Sequence, residues 1–130
     1  MDKSLVELTA SEVVEGLKKG EISPLELISA AEARILETEP AINALPTLCL
    51  ERARAQAKAL MEKERHGSEN NRGWLAGLPV AIKDLTDVAG VRTTYGSTIF
   101  KDHIPKTSHP LVKRIENMGG IIIAKSNTPE

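Results

Sequence analysis

Aromatic side chains are nearly absent from this 130-residue chain: Trp74, Tyr95 and Phe100 are the only three, and none lies in the first half. The first half must therefore pack through Leu, Ile, Val and Ala, which suits closely spaced helices better than a large core of its own. A single cysteine, Cys49, excludes an intrachain disulfide and fits a reducing compartment. Charge of either sign is not in surplus; the formal net charge of −1 removes the electrostatic footprint of a nucleic-acid binder. No apolar run approaches the roughly 18 residues of a membrane span. The opening Met1-Asp2-Lys3-Ser4 lacks the apolar stretch of a signal peptide. These absences predict a soluble, cytoplasmic protein with neither nucleic acid nor membrane as partner.

What is present is ordinary globular composition, 41% hydrophobic and 27% charged, enough for one modest core. Thr9 and Glu12 form a capping box with Leu8 and Val13 as a hydrophobic staple, predicting a helix from Ala10 to Lys19 that stops at Gly20. Ser23, Pro24 and Glu26 repeat the signal, with Ile22 and Leu27 as staple, for a second helix that Pro40 should end. Ala41 to Thr47 reads as a connector with an edge strand at Ala44-Leu45. A third helix is predicted from Leu48 to His66, stopped by Gly67, with Ser68 to Gly73 as an exposed loop.

After Trp74 the pattern changes. Val80, Ala81 and Ile82 are apolar without alternation, which predicts a central strand covered on both faces from Leu78 to Lys83. Thr107 or Ser108 should cap a helix starting near Pro110 and ending at Gly119-Gly120. Ile121-Ile122-Ile123-Ala124 is a second doubly buried strand. Strand, crossover helix and strand predict a right-handed βαβ unit with a parallel pair. Both strands end in lysine followed by polar residues, Lys83-Asp84 and Lys125-Ser126-Asn127. Side by side, they would share one sheet edge, where α/β proteins place their chemistry. By residue type alone, each lysine reads more simply as the first solvated residue after a strand.

The ordered blocks Gly77-Leu78-Pro79-Val80-Ala81-Ile82-Lys83-Asp84, Asp87-Val88-Ala89-Gly90, Thr93-Thr94-Tyr95-Gly96-Ser97 and Gly119-Gly120 through Lys125-Ser126-Asn127-Thr128-Pro129-Glu130 resemble the amidase signature family. The Gly20-to-Glu26 corner and the Ile42-Asn43-Ala44 connector match too, so the resemblance covers nearly the whole chain. It implies an α/β fold in α/β/α layers, with N-terminal helices packed on part of a mixed β-sheet. Residues 1–130 would be the N-terminal part of one amidase domain, helical over 1–67 and starting the sheet core over 74–130. It also implies hydrolysis of a carboxamide C–N bond by a Ser–cis-Ser–Lys triad, with no cofactor and a small-molecule amide as substrate.

Under that resemblance Lys83 is the catalytic base. Its amine must be held uncharged against a solution pKa of about 10.4, which calls for burial. Asp84 would orient Lys83 or meet backbone donors in the next turn. Thr93, Thr94, Gly96 and Ser97 would line the rim, although a tight turn explains the same composition equally well, and Lys125, Ser126 and Asn127 would support the floor. The family's glycine- and serine-rich block has no match here, and none of Ser97, Ser108 or Ser126 stands in its context, so the chain is expected to be a truncated fragment, inactive alone. His66, His103 and His109 lack metal-ligand spacing and read as surface positions; no metal is expected. Cys49 reads as core rather than nucleophile. A stand-alone amidase is the preferred reading. The glutaminase-type A subunit of a tRNA-dependent amidotransferase is the alternative within the family, and a non-catalytic interaction module is the alternative outside it. Bare sheet edges predict self-association.

Overall fold

The structure, a computed structural model, describes residues 4–64 and 72–129. Helix α1 (Ala10–Lys19) starts where the Thr9 hydroxyl accepts from the Glu12 N–H at 3.2 Å while the Glu12 carboxylate accepts from the Thr9 N–H at 2.7 Å. It ends at Gly20, whose φ of 74° is the left-handed stop. Helix α2 (Pro24–Ile42) opens with the same reciprocal bonds between Ser23 and Glu26. Pro40 does not end it, contrary to the expectation from its ring. The proline forfeits one backbone donor in the last turn, and the helix closes instead at left-handed Asn43, whose N–H donates to the Glu39 carbonyl at 2.9 Å. The Glu39 carboxylate then accepts from the Ala44 and Leu45 N–H groups, both at 2.9 Å.

Strand β1 is Thr47–Leu48, not Ala44-Leu45, and α3 (Leu50–Glu64) consequently begins two residues later than its helical pattern predicts. The predicted stop at Gly67 lies outside the described residues, as does most of the Ser68–Gly73 loop. Strand β2 is Pro79–Lys83, a 3-10 turn covers Thr98–Phe100, α4 is Pro110–Asn117 and β3 is Ile121–Ser126. The cap of α4 is His109, whose Nδ1 accepts from the Leu111 N–H at 3.0 Å. Ser108, expected as that cap, instead accepts from the Ala89 N–H at 2.9 Å and ties down the loop after β2.

The sheet order is β1-β3-β2, with β1 antiparallel and β2 parallel to β3. Central β3 is buried from Ile121 through Lys125, as its apolar run predicts. β2 departs from expectation: it is an edge strand, with Ile82 buried but Ala81 and Lys83 exposed. Three strands are formed among the described residues, and β3 takes the middle, so nothing in them covers the outer side of β2.

Helices and sheet share cores. Ile121, Ile123 and Ala124 pack on Ile28, Ile35, Ala53 and Ala57 of α2 and α3. Ile122 packs the other way, with Ile82, Val88, Val91 and Val112. Two consecutive residues of β3 thus face α2 and α3, and the pairing shows why. Val80 pairs with Ile122 but Ala81 pairs with Ala124, so Ile123 has no partner on β2. Such a slip resets strand alternation and re-aims the residues after it; Lys125 lands on the face of Ile82 and Ile122. Trp74 serves the aromatic-poor first half, packing with Val13, Leu17 and Leu27. At Gly77 (φ 101°) a Cβ would stand 2.5 Å from Pro24 Cγ, so only glycine lets the start of α2 lie against the entry to β2.

Candidate active site

The parallel pairing brings the ends of β2 and β3 to one edge, with Lys83 level with Ser126 and Ile82 level with Lys125. The two lysines leave on opposite faces, and their environments are opposite as well. Lys125 is 0% exposed, so the plainer reading of it as a solvated strand end is wrong. Its Nζ donates to the Thr86 carbonyl at 2.7 Å and to Thr93 Oγ1 at 2.9 Å, and lies 3.6 Å from Asp84 Oδ1. Burial pushes the Lys125 amine below the ordinary lysine range, against the pull of the Asp84 carboxylate.

Asp84 is the hub of this arrangement. Its Oδ1 accepts from the Thr94 N–H at 3.0 Å, and its second oxygen accepts from the Thr94 hydroxyl. Its N–H donates to the Ser126 carbonyl, and its carbonyl accepts from the Tyr95 N–H, both at 2.9 Å. One residue therefore fastens the exit of β2 to β3 and to the 93–97 turn. Of the two roles expected for Asp84, the contact to the next turn is the one seen.

Lys83 shares the open face of β2 with Ala81. Its side chain is exposed, and among the described residues its ammonium has no ion-pair partner. The burial expected of a neutral base is not met among the described residues, where β2 is an edge strand.

The remaining predicted positions gather around the same strand ends. Gly96 (φ 72°) lies against Thr128, where a Cβ would come within 2.6 Å of Oγ1. Ser97 caps the 3-10 turn, accepting from the Ile99 N–H at 3.2 Å. Ser126 is half-buried. Asn127 stitches the end of β3 to the exit of α2, donating from Nδ2 to the Asn43 carbonyl at 3.0 Å and from its N–H to the Ala44 carbonyl at 2.8 Å. Cys49 is half-buried; burial pushes its thiol up, and Sγ donates to the Ile122 carbonyl at 3.4 Å, which suits a core residue.

A cluster that the residue pattern did not reveal lies beside this turn. Tyr95 adopts left-handed φ of 55°; its hydroxyl donates to the Asp87 carboxylate and sits 3.3 Å from His103 Nε2. The ring meets Phe100 edge-on at 5.2 Å. His103, expected on the surface, is half-buried against these rings. The one available signal was a lone tyrosine preceding glycine in a turn of small polar residues. Among the described residues, no three His, Cys, Asp or Glu side chains converge as a metal cage. No helix among them is long and apolar enough to cross a membrane.

The amidase family profile matches residues 26–130, from the first turn of α2 through all three strands. The chain belongs to the amidase signature family. The A subunit of glutamyl-tRNA(Gln) amidotransferase from Natranaerobius thermophilus is 40% identical over 97% of this chain and 25% of its own length. Its counterpart in a Roseiflexus species is 37% identical with the same coverage. A solved bacterial aryl acylamidase of the amidase signature family superposes with a TM-score of 0.82 at 26% identity, over 95% of this chain and 25% of that one. A solved protein from a vestigial complex, bearing on the origins of an s-triazine catabolic enzyme, gives 0.86 at 33% identity over 95% and 27%. The chain thus spans about a quarter of the length of its relatives. Its mixed α/β architecture corresponds to part of the amidase signature fold.

Proposed function

We propose that this chain supplies the lysine base of a site that hydrolyses carboxamide C–N bonds. The observation that carries the reading is the position of Lys83. It stands at the C-terminal end of β2, on a face open to an incoming group, while Asp84 beside it is turned inward and anchored. A neutral Lys83 amine there would take a proton from a bridging serine, which takes one from the nucleophilic serine as its oxygen attacks the carboxamide carbon. The proton then returns to the departing amine, and water hydrolyses the resulting ester. Base action of this kind is worth about 10²–10⁴ in rate, and backbone N–H groups at the oxyanion contribute comparably.

Among the described residues no serine is assigned either role. Ser97 and Ser108 are engaged with backbone N–H groups at 3.2 and 2.9 Å, and Ser126 lies at the strand end. On this reading the serines, and the cover that would dehydrate Lys83, would have to be brought by other polypeptide. The 130-residue chain assayed alone should turn over no amide. Installed in place of the matching quarter of an aryl acylamidase, it should support hydrolysis that Lys83→Ala lowers by about 10²–10⁴; a Lys83→Ala chimera within threefold of its parent would refute the assignment.

Substrate class divides two readings. The stand-alone amidase reading rests on the Val91-to-Ser97 turn and on the Lys125-to-Glu130 ending. The reading as a glutaminase-type A subunit draws support from the 37–40% identity to such subunits. Turnover of simple amides against glutamine by the chimera separates them.

A further inference from the structure

The buried Lys125 has no part in the reaction above, yet it is the largest fully buried side chain of the described residues. An apolar residue of that size would fill the same space without the cost of dehydrating an ammonium. The role of the ammonium is set by its neighbours. Asp84 comes directly after Lys83 in sequence, and a carboxylate one residue from a base is a natural partner for its protonated form. Were Asp84 free to swing outward, it would pair with Lys83 and hold that amine charged, the wrong state for a base. The structure shows the carboxylate turned to the other side of β2, taken up by the Thr94 N–H and hydroxyl and faced by Lys125 Nζ at 3.6 Å.

The register slip at Ile123 makes this arrangement. With unbroken alternation from Ile122, Lys125 would point toward α2 and α3, away from Asp84. The other groups near the ammonium do not replace it. Asp87 is engaged by the Tyr95 hydroxyl, with His103 at the same oxygen, and the Cys49 thiol is bonded to the Ile122 carbonyl. Thr93, 0% exposed, accepts from Nζ and donates to the Val91 carbonyl at 3.1 Å, holding the ammonium from the turn side.

We propose that Lys125 is a positioning residue: its buried ammonium holds the Asp84 carboxylate on the far face of β2 and so leaves the Lys83 amine without an anionic partner. The proposal rests on Lys83 being the base, but its test does not require turnover. Trace acetylation of the 130-residue chain with acetic anhydride across pH, read by peptide mass spectrometry, gives the midpoint at which Lys83 becomes reactive. Lys125→Met removes the charge while keeping the volume, and should move the Lys83 midpoint upward, since a carboxylate that has lost its ammonium and is held by Thr94 alone is freer to favour the charged amine. The same substitution in an Asp84→Asn background should move it no further.

A folded Lys125→Met chain whose Lys83 midpoint is unchanged overturns the proposal. So does a shift that persists when Asp84 is already Asn, because the effect would then not run through the carboxylate. If Lys125→Met does not fold, Thr93→Val, which removes one acceptor from the ammonium, carries the test: an upward shift supports the proposal and an unchanged midpoint overturns it. An inactive role for Lys83 would show up separately, as a Lys83→Ala chimera that keeps its turnover while the acetylation midpoints still move.

Discussion

Removing the Asp84 side chain should be among the most damaging single changes in this chain. Asp84 is 3% exposed and faces a lysine that is 0% exposed. Asp84→Ala leaves that ammonium buried without its counter-charge, a loss of about 3–5 kcal/mol for a broken buried pair. It also strips the Thr94 N–H of its acceptor, itself a penalty of about 1–3 kcal/mol. These costs overlap, since a relaxed turn lets water reach both groups, and about 4 kcal/mol is the combined expectation. Against a typical domain stability of about 5–15 kcal/mol, that is a large share. Asp84→Asn keeps an acceptor for Thr94 and should lose about half as much.

The assay is urea unfolding followed by circular dichroism. With a slope of about 2 kcal/mol per molar, Asp84→Ala should lower the midpoint by about 2 M. Adding Lys125→Met to Asp84→Ala should restore part of the loss, because an apolar replacement no longer needs the carboxylate. Arg34→Ala is the control. Its ion pair with Glu37 at 3.4 Å joins side chains 49% and 73% exposed, and such pairs contribute about 0–1 kcal/mol. An Asp84→Ala loss below about 1 kcal/mol, or no recovery in the double variant, would refute the view that these two charges depend on each other.

Tyr95 is the only tyrosine, so absorbance at 295 nm reports its ionisation alone; its bond to the Asp87 carboxylate should hold the midpoint above the ordinary value of about 10, and Asp87→Asn should bring it back. Because the folded value is raised, the stability it contributes is complete below about pH 10 and disappears as pH climbs through the folded midpoint; an unshifted tyrosine would count against the bond. The outer edge of β2 should drive self-association, seen by sedimentation as dimers or larger species that diminish with Ala81→Lys; a strictly monomeric parent chain at all concentrations would contradict this.

The parts of the fold legible in the sequence were those written locally. Thr9, Glu12, Ser23 and Glu26 satisfy one another's backbone across a single turn, so both helix starts follow from residue identity. The buried character of β3 is equally plain in three consecutive isoleucines. Neighbourhood was harder to read. The run Val80-Ala81-Ile82 has the composition of a covered strand, but its cover depends on what lies beside it, and within these residues one side stays bare. Pro40 looked like a terminator because the left-handed turn at Asn43 and the reach of Glu39 are settled three-dimensionally. His109 outcompeted Thr107 and Ser108 as a cap because Ser108 was already committed to Ala89. The fate of Lys125 was the least legible, since its direction depends on one unpaired residue two positions earlier.

That unpaired residue gives β3 a parity. Excising the unpaired Ile123 would leave ordinary alternation, with Ala124 still toward α2 and α3 and Lys125 still on the Ile122 face, at the loss of one isoleucine from that core. Excising both residues between Ile122 and Lys125 would turn the lysine toward the alanines of α3 and pull the Asn127 stitch away from Asn43. Homologous chains and engineered variants should therefore tolerate loss of that one unpaired residue more readily than loss of two.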